Sequence, residues 1–171
     1  MSGFVLWLTG LPASGKTTLA RALEKHLSHL NVVVLDGDIL RRGLSSDLGF
    51  LSFDRHEHNR RVAEVASLFA DSGFIVICAL VSPYRLDRSR AHRIIGADRF
   101  HEVYLRASLE TCEQRDPKGN YKRARLGEIQ EFTGITAPYE IPQAPALVVD
   151  TQNHTEGECL IRLGMFVKGK I

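Results

Sequence analysis

Gly10-Leu11-Pro12-Ala13-Ser14-Gly15-Lys16-Thr17 is a complete G-x-x-x-x-G-K-T loop, set between an apolar run (Phe4 to Leu8) and a segment with helical spacing. A strand, a glycine-rich turn and a helix in that order leave a chain few ways to fold. The glycines let successive backbone N–H groups converge on phosphate oxygens, and the helix that follows turns its positive N-terminus toward the same charge. The pattern predicts a nucleoside triphosphate held by Gly10, Leu11, Pro12, Ala13, Ser14, Gly15, Lys16, Thr17 and Thr18. Lys16 would reach the β- and γ-phosphates and Thr17 would ligate Mg²⁺. The loop is silent on the phosphoryl acceptor.

The remaining pattern supplies an α/β frame. Short apolar runs recur at Phe4–Leu8, Val32–Leu35, Phe74–Val81, Val103–Leu105 and Ala146–Val149, and their continuous character suits parallel strands buried on both faces. Leu19, Leu23, Leu27 and Leu30 repeat at helical spacing, as do Val62, Val65, Ala66 and Phe69, and a last helical stretch surrounds Leu160, Leu163 and Val167. Together they predict a three-layer P-loop hydrolase/kinase fold, with a parallel sheet between helices and its ligand at the carboxyl ends of the strands. No linker or repeat divides the 171 residues, so one domain over 1–171 is expected.

Composition narrows the class further. A net charge of +2 gives no global field for nucleic acid, and no run of about eighteen apolar residues argues for a membrane span. Met1 to Gly3 leads directly into the first strand, which leaves no room for a signal peptide. Cys78, Cys112 and Cys159 are odd in number and scattered, as expected of reduced thiols packed in the core of a cytoplasmic protein.

Asp116 to Pro145 departs from the alternation, being rich in Pro and Gly with Lys118, Lys122, Arg123 and Arg125 in its first part. Beside a phosphate loop it reads as a mobile lid carrying cations over the transferring group, against the alternative of a solvated basic helix. The chain lacks the Asn/Thr-Lys-x-Asp stretch by which GTPases read their base, and its third strand ends at Ser82 without a carboxylate. The acidic pair stands instead after the second strand, as Asp36-Gly37-Asp38. Such a pair suits acceptor and metal-water positioning in a small-molecule kinase, whereas a helix-capping turn would be the structural use of Asp38.

Eight ordered stretches then carry a resemblance: Gly10–Thr17, Asp36-Gly37-Asp38 with Arg41 and Gly43-Leu44, Asp47-Leu48-Gly49-Phe50, Asp54-Arg55, Arg60-Arg61, Ser82-Pro83-Tyr84-Arg85, Asp116-Pro117-Lys118-Gly119 and Phe132-Thr133-Gly134-Ile135. In this order they resemble the adenylyl-sulfate kinase family, which uses ATP to phosphorylate the 3′-hydroxyl of adenosine 5′-phosphosulfate. The resemblance implies a cytoplasmic homodimer of sulfate activation that uses Mg²⁺, with ATP and adenylyl sulfate as its substrates. It implies that Arg41 and Arg55 grip the phosphosulfate, that Phe50 and Phe132 sandwich its adenine, and that Arg115 lies beside the ATP base. Asp38 would orient or deprotonate the acceptor hydroxyl, Asp36 would stand near the Mg²⁺ hydration shell, and Lys118 would act from the lid. As isolated aromatics Phe50 and Phe132 could equally be core residues, though Gly49 and Thr133-Gly134 favour loops. Ser82 matches a family serine described as a phosphorylated intermediate; in-line transfer needs no such step, so Ser82 reads mainly as a ligand contact.

Two positions depart from the family pattern. His58 stands where the family has a nucleotide-contacting asparagine, and Asn59, about 100° further round a helix, cannot simply replace it. An imidazole there would supply the missing hydrogen bond as a neutral ring or a cation, with titration expected near its ordinary pKa of about 6.5. Leu80 replaces a common phenylalanine. These changes keep open a paralogous kinase with another small nucleotide-like acceptor. A non-catalytic nucleotide-binding partner of a sulfate adenylyltransferase is a third reading, opposed by the intact Lys16, Thr17 and Asp38.

Overall fold

The computed structural model describes residues 3–171; Met1 and Ser2, from which the chain runs toward its first strand, lie outside the described residues. The elements run β1 (Phe4–Thr9), α1 (Lys16–His26), β2 (Val32–Asp36), α2 (Gly37–Leu40), α3 (Ser52–Asp71), β3 (Ile75–Ala79), α4 (Arg85–Ile95), β4 (Phe100–Arg106), α5 (Leu109–Arg115), α6 (Asn120–Arg125), β5 (Leu147–Asp150) and α7 (Glu156–Lys168). The strands form one parallel sheet in the order β2-β3-β1-β4-β5. All six residues of β1 are buried because it lies at the centre with helices on both faces.

The twofold period of β1 divides the core. Phe4, Leu6 and Leu8 pack with Leu19 and Leu23 of α1 and with Leu163 and Val167 of α7. Val5 and Trp7 point the other way, onto Val62, Ala63 and Ala66 of α3 and Ala91 and Ile95 of α4. On the edges, β2 and β5 are fully buried only at their carboxyl ends. That is the end at which the phosphate loop leaves the sheet.

All five expected strands and the three expected helices form, with shifted boundaries. Helix α1 ends at His26, so Leu27 is its C-cap and Leu30 lies beyond it, yet both still pack against the first core. Strand β3 ends at Ala79 rather than Val81, and the chain turns away through Ser82 with φ at +38°. Strand β4 is longer than its apolar core: His101, Glu102 and Arg106 interrupt the hydrophobic run, while backbone pairing to β1 and β5 continues through them. Helix α4 was hidden by its arginines, although Ala91 and Ile95 give it a buried face.

The Asp116–Pro145 segment is anchored at both ends. Tyr121, Ala124 and Phe132 join Ala107 and Cys112 in a third cluster against Leu11 and Ala13, and Tyr121 Oη donates to the Pro12 carbonyl at 2.8 Å. Further on, Glu140 N donates to Pro83 O at 2.8 Å and Tyr139 Oη lies 2.9 Å from Thr9 Oγ1. Arg125 to Glu128 remain exposed between these anchors.

The facing of α7 gives a paired stability test. Leu163 is fully buried and Ile161 is 65% exposed, two residues apart on the same helix. Leu163→Ala should cost about 2–5 kcal/mol through lost transfer energy and a residual cavity, while Ile161→Ala should stay within about 0.5 kcal/mol. Chemical denaturation of both variants checks this; equal costs would mean α7 packs on another face.

Candidate active site

The phosphate loop turns through left-handed backbone at Ala13 (φ 63°) and Gly15 (φ 95°), and α1 starts immediately afterwards at Lys16. Gly15 reaches that conformation without the Cβ clash another residue would suffer. Lys16 folds over its own loop, with Nζ donating to Gly10 O at 2.9 Å, Leu11 O at 2.7 Å and Ser14 Oγ at 3.3 Å. Burial pulls its ammonium down to about 8, with Asp38 and Asp36 opposing that shift. Phosphate oxygens beside the ammonium would act in the same opposing sense.

Asp36, at the end of β2, is buried with both carboxylate oxygens engaged. Oδ2 accepts from Thr17 Oγ1 at 2.6 Å, and Oδ1 accepts from the backbone N–H groups of Asp38 (3.0 Å) and Ile39 (3.3 Å) as the N-cap of α2. The capping turn expected as the alternative for Asp38 therefore belongs to Asp36. Asp38 projects into the cleft, where its carboxylate pairs with Lys118. Thr17 and Asp36 together offer two hard oxygen donors beside the phosphate loop, the set that Mg²⁺ takes together with waters and substrate phosphate.

Ser82 lies deeper, 3% exposed, with Oγ accepting from Trp7 Nε1 at 3.0 Å and its carbonyl accepting from Arg88 Nη1 at 2.7 Å. A positive φ at serine is unfavourable, and these buried partners hold it in place. Arg115 sits behind the phosphate loop, with Nη1 3.4 Å from Ala13 O and Nη2 donating to Thr151 O.

On the opposite side Phe50 is 54% exposed and supported by two guanidinium groups, Arg41 at 4.4 Å and Arg55 at 5.7 Å from its ring centre. Arg41 donates to Gly49 O, and Arg55 donates to Phe50 O at 2.8 Å and Glu131 O at 3.2 Å. Phe132 is buried edge-on against Tyr121, with centroids 4.9 Å apart. Phe50 is thus a loop residue, whereas Phe132 belongs both to a small core and to the cleft wall.

His58 corrects one expectation. Its ring is buried and its pKa falls to about 4, from burial first and then from Arg41, Arg55 and Arg61. Titration near 6.5 is therefore lost, and the ring is neutral at physiological pH. As the helical spacing requires, His56 points elsewhere, to Asp87 at 2.5 Å. Asn59 also borders the cleft, its Nδ2 3.4 Å from Asp87 Oδ2.

One cavity of about 1150 Å³ unites Pro12, Ala13, Gly15, Lys16, Thr17, Thr18, Asp36, Asp38, Arg41, Phe50, Arg55, His58, Ser82, Arg115, Lys118 and Phe132. Gly10, Leu11 and Ser14 do not line it; Ser14 is fully buried under Lys16. Sequence reasoning missed Asn120, Thr151, His154 and Glu156, which line the same cavity. Only Thr151 carried a signal, following the acidic end of the last strand; its Oγ1 donates to Ser14 O at 2.8 Å.

A family model described as adenylylsulphate kinase matches residues 2–150. A probable adenylyl-sulfate kinase of Bacillus subtilis is 52% identical over 169 residues, covering 98% of this chain and 86% of the relative. The structure of a Mycobacterium tuberculosis APS kinase in complex with AMPPNP and APS superposes with a TM-score of 0.93 at 40% identity, covering 98% of both chains. A hexameric APS kinase from Thiobacillus denitrificans gives a TM-score of 0.74 at 32% identity, covering 99% of this chain and 29% of that one.

The buried Lys16 ammonium generates a pH prediction. With its pKa near 8 in the protein alone and raised by a bound polyphosphate, binding takes up protons above that pH. Triphosphate affinity should then fall as pH rises from 7.5 to 9.5, with net proton uptake near pH 8.5. Calorimetry in buffers of different ionisation enthalpy reads this; buffer-independent binding at pH 8.5 would refute it.

Proposed function

The chain belongs to the adenylyl-sulfate kinase family, and from that premise we propose that its cleft transfers the γ-phosphoryl group of ATP to the 3′-hydroxyl of adenosine 5′-phosphosulfate, giving 3′-phosphoadenosine 5′-phosphosulfate. One observation supports the reading: the exposed carboxylate of Asp38 shares a single cavity with Lys16 and Thr17 of the phosphate loop and with Arg41, Arg55, Phe50 and Phe132. Donor and acceptor subsites with a base between them are what in-line transfer needs.

In this reading the loop from Gly10 to Thr18 cradles the triphosphate, Lys16 turns from its own carbonyls onto the β- and γ-phosphates, and Arg115 borders the donor base. Phe50 and Phe132 hold the acceptor adenine by stacking, and Arg41 and Arg55 keep guanidinium N–H groups for the phosphosulfate after holding the Phe50 loop. Asp38 accepts the 3′-hydroxyl proton as that oxygen attacks the γ-phosphorus and the bond to the β-bridging oxygen breaks. Lys118 moves from Asp38 to the transferring phosphate, and Ser82 contacts ligand without forming a phosphoenzyme. Thr17 and Asp36 are the residues that would hold Mg²⁺ with its waters, and the ion would supply neutralising charge on the phosphate oxygens.

The protein would work in the cytoplasm as a homodimer. Its three cysteines are buried free thiols, compatible with a reducing compartment, and no helix among the described residues is long and apolar enough to cross a membrane.

Coupled measurement of ADP release with and without adenylyl sulfate tests the reading, and adenylyl-sulfate-dependent turnover is expected. Asp38→Asn should lower kcat by roughly 10²–10⁴-fold with ATP KM little changed. Arg55→Ala should chiefly raise the acceptor KM. ADP release only with some other acceptor would transfer the chemistry to a paralogous kinase, and none with any acceptor would leave a binding module.

A further inference from the structure

Ser45 lies in the turn after α2, fully buried, and among the described residues its hydroxyl has one hydrogen-bond partner, His58 Nδ1 at 2.9 Å. A hydroxyl has one proton to place. If Nδ1 donated to Oγ, that proton would be stranded in the protein interior, with the desolvation cost of an unpaired buried donor. Donation from Ser45 Oγ to Nδ1 satisfies both atoms. A neutral ring so engaged carries its own proton on Nε2.

His58 and Gly37 both line the cleft, and with Nδ1 engaged by Ser45 the Nε2 atom is the ring nitrogen left for a ligand. A Cβ built on Gly37 would stand 3.6 Å from His58 Nε2 and 3.0 Å from Leu80 Cδ2, so glycine at this position keeps the space before the nitrogen clear. Arg41, Arg55, Arg61 and Asp38 are the charged groups near enough to act on the ring.

We propose that Ser45 is a positioning residue of the acceptor site: its hydroxyl donates to His58 Nδ1 and holds the ring as a fixed Nε2–H donor to an oxygen of the nucleotide acceptor. The identity of that acceptor rests on the kinase reading above. The consequence is chemical. A side-chain amide presents a donor and an acceptor and can turn either toward a ligand, whereas this ring presents a donor only. The site therefore selects a lone pair at that point and disfavours a ligand N–H or O–H directed at it.

The test begins with the native protein. Nitrogen-15 NMR of histidine-labelled protein should show His58 as the Nε2–H tautomer, and its Nε2 signal should shift when adenylyl sulfate is added without ATP. An Nδ1–H tautomer would overturn the proposal, as would an Nε2 signal blind to saturating adenylyl sulfate. Ser45→Ala should give a mixture of tautomers and raise the acceptor KM roughly three- to tenfold, with kcat and ATP KM near native. In a His58→Asn background the same substitution should change the acceptor KM less than about twofold, because no ring remains to be held. An equal cost in both backgrounds would make Ser45 merely structural and sink the idea. Should Ser45→Ala fail to fold, the native tautomer and its response to ligand still decide. An Nε2–H tautomer in a protein that turns over no adenylyl sulfate would keep the Ser45 lock and overturn the acceptor assignment together with the kinase reading.

Discussion

The cleft depends on one buried carboxylate. Asp36 takes the Thr17 hydroxyl on one oxygen and two backbone N–H groups at the start of α2 on the other, so it ties the first turn of α1, just after the phosphate loop, to the end of β2 and the start of α2. An unpaired carboxylate so buried would be expensive; three donors and the positive end of the short helix offset that cost. Because Asp36 occupies the capping role, Asp38 has no local duty and projects into the cavity. The spacing of two acidic residues about one glycine thus yields a fixed oxygen donor beside the phosphate loop and an exposed carboxylate in the cleft that pairs with Lys118.

A second buried network sets the depth of the site. Trp7 donates to Ser82 Oγ, Thr9 donates to Val81 O at 2.7 Å, and Arg88 joins Ser82 O to Glu102 (2.6 Å) and Glu140 O (2.6 Å). The strained turn after β3 and the return of the lid segment are therefore held by the same guanidinium. Arg88 is 3% exposed, and removing one partner from such an arrangement leaves a buried charge uncompensated, which costs far more than an exposed pair is worth. The floor of the cleft is made here, with Ser82 as the member of the network that lines the cavity.

The phosphate loop, the five strands and the acidic pair were legible because each is encoded locally, in glycine spacing, in apolar runs and in two carboxylates at a strand end. The partners of those residues were not. Trp7 and Ser82 are 75 positions apart, and Tyr121 reaches Pro12 across 109; no window of sequence relates them. Helix α4 was missed because its exposed arginines dominate its composition, although a small buried stripe decides its place. The family resemblance named Arg41, Arg55, Phe50 and Phe132 as acceptor residues, but it could not reveal that the two arginines also hold the Phe50 loop. His58 departs from the family pattern in the sequence itself, but only its burial near three arginines shows why its ordinary titration is lost. Ser45 gave no signal at all, since a serine in a turn is unremarkable until its neighbour in space is known.

The pairing of Lys118 with Asp38 shows how the kinase reading fits the energetics of such a surface. Both side chains are more than half exposed, and an ion pair of that kind contributes only about 0–1 kcal/mol. It is therefore easily exchanged. In the kinase reading a triphosphate would offer the ammonium several negative oxygens, so the lysine would leave Asp38 at little cost and add its charge where the transferring group develops it. In the same reading, the carboxylate it leaves would then be free to receive a proton from the acceptor hydroxyl. A buried pair at this point would have locked the base, and a lysine with no partner would have left the lid without a preferred resting position. In the kinase reading, the weakness of the contact would let donor binding and unmasking of Asp38 be one event.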